Sequence, residues 1–266
     1  MGRSKPSFIR AFAVSLTCLV VLSPCTAAEP AKDEITLEIV EPRPLSVALR
    51  DLSDRHGWVI TYEDPRWSHP DDLEDQTAGV QGAVERVAQG LHPPLRIPRV
   101  QPLRFSYPRQ RIEGGFGARF DLVEELLAVY ERGNTGVAYE LRRDGDMLHV
   151  LPQQARDERG DWIEHVSLLD RSLEFPRARR TVMETIHEIE KAINRTSSTE
   201  FSLGLVMIEP FHHTFVEVGG EGRTGRELLG EVMSAVDVLT SWVLFYDPTL
   251  QTYFFSVYPV RHGGPA

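Results

Sequence analysis

Residues 35–65 read ITLEIVEPRPLSVALRDLSDRHGWVITYEDP. Residues 35–40 alternate apolar and polar side chains, the period of a strand with one buried face. After Pro42 and Pro44, Leu45, Ala48, Leu49 and Leu52 recur at the i, i+3, i+4, i+7 spacing of a single helical face, and Gly57 supplies a stop. Residues 58–62 form a second apolar strand closed by Asp64-Pro65. The stretch is a β-α-β unit, and the rest of the chain repeats its order.

Residues 66–100 interrupt that order. The acidic run Asp71, Asp72, Glu74, Asp75 reads as a solvated loop, and Val84, Val87, Ala88 and Leu91 as a short helix before a proline-rich stretch. A strand at 103–107, a helix carrying Leu122, Val123, Leu126 and Leu127, and a hairpin of 137–141 with 147–151 across Asp144-Gly145-Asp146 complete a second unit. Residues 153–161 are polar and read as a linker. Beyond it come a strand at 167–175, a helix with Val182, Met183, Ile186, Ile189 and Ile193, strands at 201–208 and 214–218, a helix with Leu228, Leu229, Val232, Met233 and Val236, and strands at 241–246 and 253–260. The expected fold is α+β. It has two modules, 29–152 (with 66–100 as an insertion) and 162–260, each of two β-α-β-type units with small mixed sheets and helices packed on them, followed by a tail at 261–266.

Two internal echoes support duplication. The segment running from Trp58 to Tyr62-Glu-Asp64-Pro65 returns as Trp242 to Tyr246-Asp247-Pro248. Gly114-Gly115-x-Gly117 returns as Gly219-Gly220-x-Gly222, each before a helix with Glu-Leu-Leu. They disagree on register: the glycines match the second unit to the fourth, the aromatic strands the first to the fourth. The Leu45, Ala48, Leu49, Leu52 pattern followed by Gly57 and a Val/Ile/Tyr strand resembles the short N-terminal domain shared by secretins and TonB-dependent receptors. That resemblance implies a small periplasmic module of two β-α-β motifs that contacts partner proteins. It covers 35–65 well and 103–152 loosely, and no barrel or secretin segment is expected in the residues that follow.

The opening residues carry Arg3, Lys5 and Arg10, a short apolar run from 11 to 22, and Ser23-Pro24-Cys25-Thr26-Ala27-Ala28. This is the make-up of a secretory signal peptide, expected to be cleaved after Ala28, and the run is too short for a comfortable membrane span. Pro24 before Cys25 fits a lipoprotein signal poorly. Both cysteines, Cys18 and Cys25, fall in that leader, so the exported chain has no disulfide and no thiolate site. Arginine dominates over lysine, the bias of a GC-rich bacterial genome. The formal charge of −10, with no basic tract, disfavours nucleic acid as a partner.

No catalytic set emerges. Gly220-Glu-Gly222-Arg-Thr-Gly225, trailed by Asp247, satisfies a dinucleotide fingerprint formally. Too few residues follow to complete a nucleotide-binding sheet, and the glycines read as a bend between strand and helix. Glu209, His212 and His213 are the best metal candidates. Arg177, Arg179 and Arg180 form a basic cluster read at a helix start, and Trp58, Tyr62, Trp242 and Tyr246 form paired aromatics, either core or an exposed ledge for a partner. The sequence predicts an exported, periplasmic, non-enzymatic interaction module binding another envelope protein, with no cofactor. The alternative is a small-ligand or metal-binding sensor or hydrolase with a site between the two modules.

Overall fold

The computed structural model describes residues 33–133, 137–206 and 209–261. The expected leader with Cys18 and Cys25, the end of the strand expected at 201–208, and nearly all of the tail lie outside the described residues. The fold is α+β, and the described residues from Asp33 onward form one compact unit.

In the first half β1 (Glu34–Glu41) leads into α1 (Pro44–His56) and β2 (Val59–Glu63). Pro44 at the first turn starts α1, and Gly57 in the left-handed conformation (φ 65°) ends it. The insertion follows: β3 (Leu73–Asp75), α2 (Ala83–Ala88) and β4 (Arg96–Pro98), with β3 and β4 paired as a hairpin. Asp72 in the acidic run is buried against Arg156 at 2.9 Å, so that run is not wholly solvated. Next come β5 (Gln101–Pro108), α3 (Gly115–Gly133), β6 (Tyr139–Asp144) and β7 (Met147–Pro152). The residues read as a linker instead belong to a small hairpin, β8 (Gln154–Arg156) on β9 (Trp162–Glu164).

The second half runs β10 (Ser172–Thr181), α4 (Val182–Thr196), β11 (Glu200–Leu203), β12 (Phe215–Thr224), α5 (Gly225–Ser234), β13 (Thr240–Asp247) and β14 (Thr252–Pro259). Thr181 with Glu184 and Thr224 with Glu227 cap α4 and α5 by the same reciprocal hydrogen bonds. Gly219 and Gly220 lie inside β12 rather than in a bend before α5. A Cβ on Gly219 would collide with the backbone of Pro176 and Arg177, so the irregular β10–β12 ribbon needs glycine there.

The two halves have the same topology. β1 pairs antiparallel with β5, and β10 with β12, as two-stranded ribbons. β2 pairs parallel with β7, which pairs antiparallel with β6. Likewise β11 pairs parallel with β14, which pairs antiparallel with β13. The glycine echo therefore falls on corresponding segments, the β5-to-α3 and β12-to-α5 passages, although Gly115 and Gly117 already lie in the first turn of α3 while Gly219, Gly220 and Gly222 lie in β12. The aromatic echo does not: β2 and β13 are not equivalents but neighbours, paired in parallel at Val243–Tyr62 and Leu244–Glu63. Their likeness reflects a shared environment at the centre of a sheet.

That pairing fuses the halves into one six-stranded sheet, β11-β14-β13-β2-β7-β6. Ile60 and Tyr62 face the first half's core, where Tyr62 stacks on Tyr139 and Tyr139 meets Tyr130 of α3. Thr61 and Glu63 point the other way, toward Trp242 and α5. α3 and α5 thus cover opposite faces of β2, and both central strands are buried on both sides. A chain ending at residue 161 is expected to be insoluble or molten by circular dichroism, because it bares the β2 edge and the Thr61/Glu63 face. A soluble, cooperatively unfolding fragment would show that the halves are independent.

Candidate interaction site at the sheet edges

Glu63 and Asp64 are adjacent acids at the end of β2, and both are buried, 1% and 0% exposed. They point to opposite faces and each meets its own arginine. Asp64 Oδ2 accepts from Arg43 Nε at 2.6 Å, and Arg43 Nη2 donates to the Tyr246 carbonyl at 2.8 Å. The Tyr246 amide and the Tyr62 hydroxyl also donate to Asp64, at 3.1 and 2.9 Å. On the other face Arg226 Nη2 lies 2.6 Å from Glu63 Oε1, while Ser167 Oγ donates to Glu63 Oε2 at 2.6 Å. Arg226 Nε also donates to Asp170, which takes a second bond from Arg142. Partial burial raises Asp170, but Arg226 and Arg142 outweigh it and hold the carboxyl below its ordinary value. These charges are consumed in clamping the halves together.

His149 lies beside this cluster, with Nδ1 2.7 Å from Thr61 Oγ1. Burial first, then the positive charges of Arg226 and Arg142, push it down to about 3. A polar cavity of about 390 Å³ next to the cluster is lined by Glu140, Arg142, His165, Ser167 and Asp170. Arg142 pairs with both Glu140 and Asp170, so the cavity wall is charge-compensated by its own residues.

The residues singled out from sequence fall elsewhere. Trp58, Tyr62, Trp242 and Tyr246 are each at most 2% exposed, so they are core and form no ledge. Arg177, Arg179 and Arg180 lie in β10 and not at a helix start: Arg177 pairs with Glu217 at 3.1 Å, and Arg179 and Arg180 sit over the Phe215 and Phe175 rings. His213 lies 3.4 Å from Glu209 on an exposed turn, with His212 also exposed. Among the described residues no group of three His, Cys, Asp or Glu side chains is placed to hold a metal, and none of these three residues lines the cavity between the halves. No helix among them is long and apolar enough to cross a membrane.

Among the described residues the six-stranded sheet has two terminal strands, β6 and β11. β6 is its terminal strand on one side. Asp144–Met147 closes the β6–β7 hairpin, so alternate residues Tyr139, Leu141 and Arg143 turn their backbone groups away from β7. The Tyr139 amide bonds to Glu131, leaving Leu141 and Arg143 with no strand beside them among the described residues. Matching the two hairpins through their pairing with β2 and β11 places Leu141 where Leu244 stands in β13, the residue whose carbonyl accepts from Asp64 N at 2.8 Å. The edge carries no sequence motif; the only signal available was its place in the duplicated hairpin. No family model, curated protein or solved structure matches the chain.

The His149 environment gives a pH signature. Its ordinary value is 6.5, so below that the unfolded chain binds a proton that the folded chain refuses until about pH 3. Stability therefore falls with pH across that window, and this residue alone accounts for about 2 kcal/mol lost between pH 7 and 5. His149→Asn should flatten the decline measured by urea unfolding at those two pH values. An unchanged slope would place the titration elsewhere. Arg226→Ala, which strands Glu63 without its cation, should cost about 3–5 kcal/mol in the same assay.

Proposed function

We propose that the chain is an exported, non-enzymatic interaction module of the bacterial envelope, which adds a partner's strand to its sheet at β6. The observation that carries this reading is that β13, the equivalent of β6 in the second half, is seen paired in parallel with β2 along the same edge. One such edge is thus occupied within the chain, and the other has no strand beside it among the described residues. Strand addition draws affinity from main-chain hydrogen bonds and specificity from alternate side chains, so it needs no catalytic group. The topology of each half, two β-α-β motifs in a small α+β unit, supports the likeness to the short N-terminal domain of secretins and TonB-dependent receptors. The basic, apolar and small-residue stretches of residues 1–28 support export.

A photo-crosslinking amino acid replacing Arg143 on β6, in cells, should yield one dominant adduct in the envelope fraction, and Leu141→Pro should abolish it. The same probe replacing Glu200 on β11 should yield none. No adduct at β6, or equal adducts at both positions, would overturn the reading.

A further inference from the structure

The opposite end of the sheet is closed, and the comparison between halves shows how. β11 occupies in the second half the place of β2 in the first: Phe201 corresponds to Ile60 and Leu203 to Tyr62. In β2 these positions face β13, and the Ile60 carbonyl accepts from the Ser241 hydroxyl. In β11 they face α4. Asn194 Nδ2 donates to the Phe201 carbonyl at 2.7 Å, the Phe201 amide donates to Asn194 Oδ1 at 2.8 Å, and the Leu203 amide donates to Glu190 at 3.2 Å. Two side chains thus take the hydrogen bonds that a neighbouring strand would take.

The first half lacks this device. Superimposing the buried stripes of the two helices, Leu45, Ala48, Leu49 and Leu52 on Val182, Thr185, Ile186 and Ile189, sets Ser53 opposite Glu190 and Gly57 opposite Asn194. Ser53 is too short to reach the strand, and Gly57 ends α1 there. The β2 edge is consequently open, and β13 fills it.

The symmetry of the joint gives the difference its meaning. From one half to the next the strand order repeats while strand direction and the helix-covered face both reverse, which is a two-fold screw along the sheet. Such a head-to-tail contact does not close on itself, and repeated between molecules it builds a filament. β6 of one copy and β11 of the next are the two surfaces that would repeat it. We propose that Asn194 and Glu190 form a plug that stops this chain from polymerising through the same strand joint that unites its halves. The contact it forbids is β11 of a second copy added to β6 in parallel.

Asn194→Gly with Glu190→Ser transfers the open edge of the first half onto β11, and Asn194→Ser tests the same point without a helical glycine. Each is followed by circular dichroism and by mass from sedimentation equilibrium, from micromolar to submillimolar protein. The wild type is expected to stay monomeric. The folded variants should show a mass that rises with concentration beyond a dimer, and Leu141→Pro added to either should restore the monomer, since its lost amide faces away from β7. Native-like variants that stay monomeric, growth that survives Leu141→Pro, or a wild type that already polymerises would each overturn the proposal. The readout is mass of the purified chain, so its failure is distinct from loss of the crosslinked partner.

Discussion

Two adjacent buried carboxylates hold this molecule together. Taking a charge out of water costs several kcal/mol even after relaxation, and only an excellent geometry repays it. Glu63 and Asp64 meet that condition because a strand points them to opposite faces, where Arg226 of the second half pairs with Glu63 and Arg43 of the first half pairs with Asp64. The Glu63–Arg226 pair thus crosses the joint directly, and the Arg43–Asp64 pair crosses it through the backbone carbonyl and amide of Tyr246. Hydrophobic burial supplies the bulk of the folding free energy, as in any domain. The ion pairs supply the choice of neighbour, since a β2 strand shifted by one residue along β13 would send each acid to the wrong face.

The two halves share one topology, and the arrangement is nonetheless asymmetric. Both halves keep the ribbon, the helix pair and the three strands, and both second-half helices keep one capping device. The differences lie where the strands of one half meet something else. Leu141 and Arg143 have no strand beside them among the described residues, whereas Phe201 and Leu203 are hydrogen-bonded to α4. The two ends of the sheet are therefore chemically different: β6 keeps outward-facing amides, and those of β11 are taken by Asn194 and Glu190.

Much of the secondary structure is legible locally. The 3.6-residue stripes of Leu45 to Leu52 and of Val182 to Ile193 become α1 and α4, Gly57 ends the first, and Asp144-Gly145-Asp146 turns the hairpin. The joint is not legible, because a parallel pair between residues so distant in the chain leaves no local trace. The aromatic echo of Trp58 and Trp242 misleads for a physical reason: two strands buried on both faces converge on the same apolar composition whether or not they are equivalent. Glu63-Asp64 resembles a solvated strand end, although two acids closing an otherwise apolar strand were a usable signal. The arginines at 177, 179 and 180 read as a helix start because the apolar stripe of α4 begins at Val182, directly after them; they lie among the last residues of β10, which runs straight into that helix. The edge at Leu141 depends wholly on topology.

The span of the central joint bears on how the chain is made. Ser241 reaches back to Ile60, and Tyr246 to Asp64, across 181 and 182 residues. Contacts of such high sequence separation form late, because the loop between them must be closed before they return any stabilisation. Until β13 has been synthesised, β2 has an uncovered edge and Asp64 lacks the Tyr246 amide. The growing polypeptide thus passes through a vulnerable interval in which the strand later most protected is the one most exposed to misassociation, a window in which a holding chaperone has the most to offer.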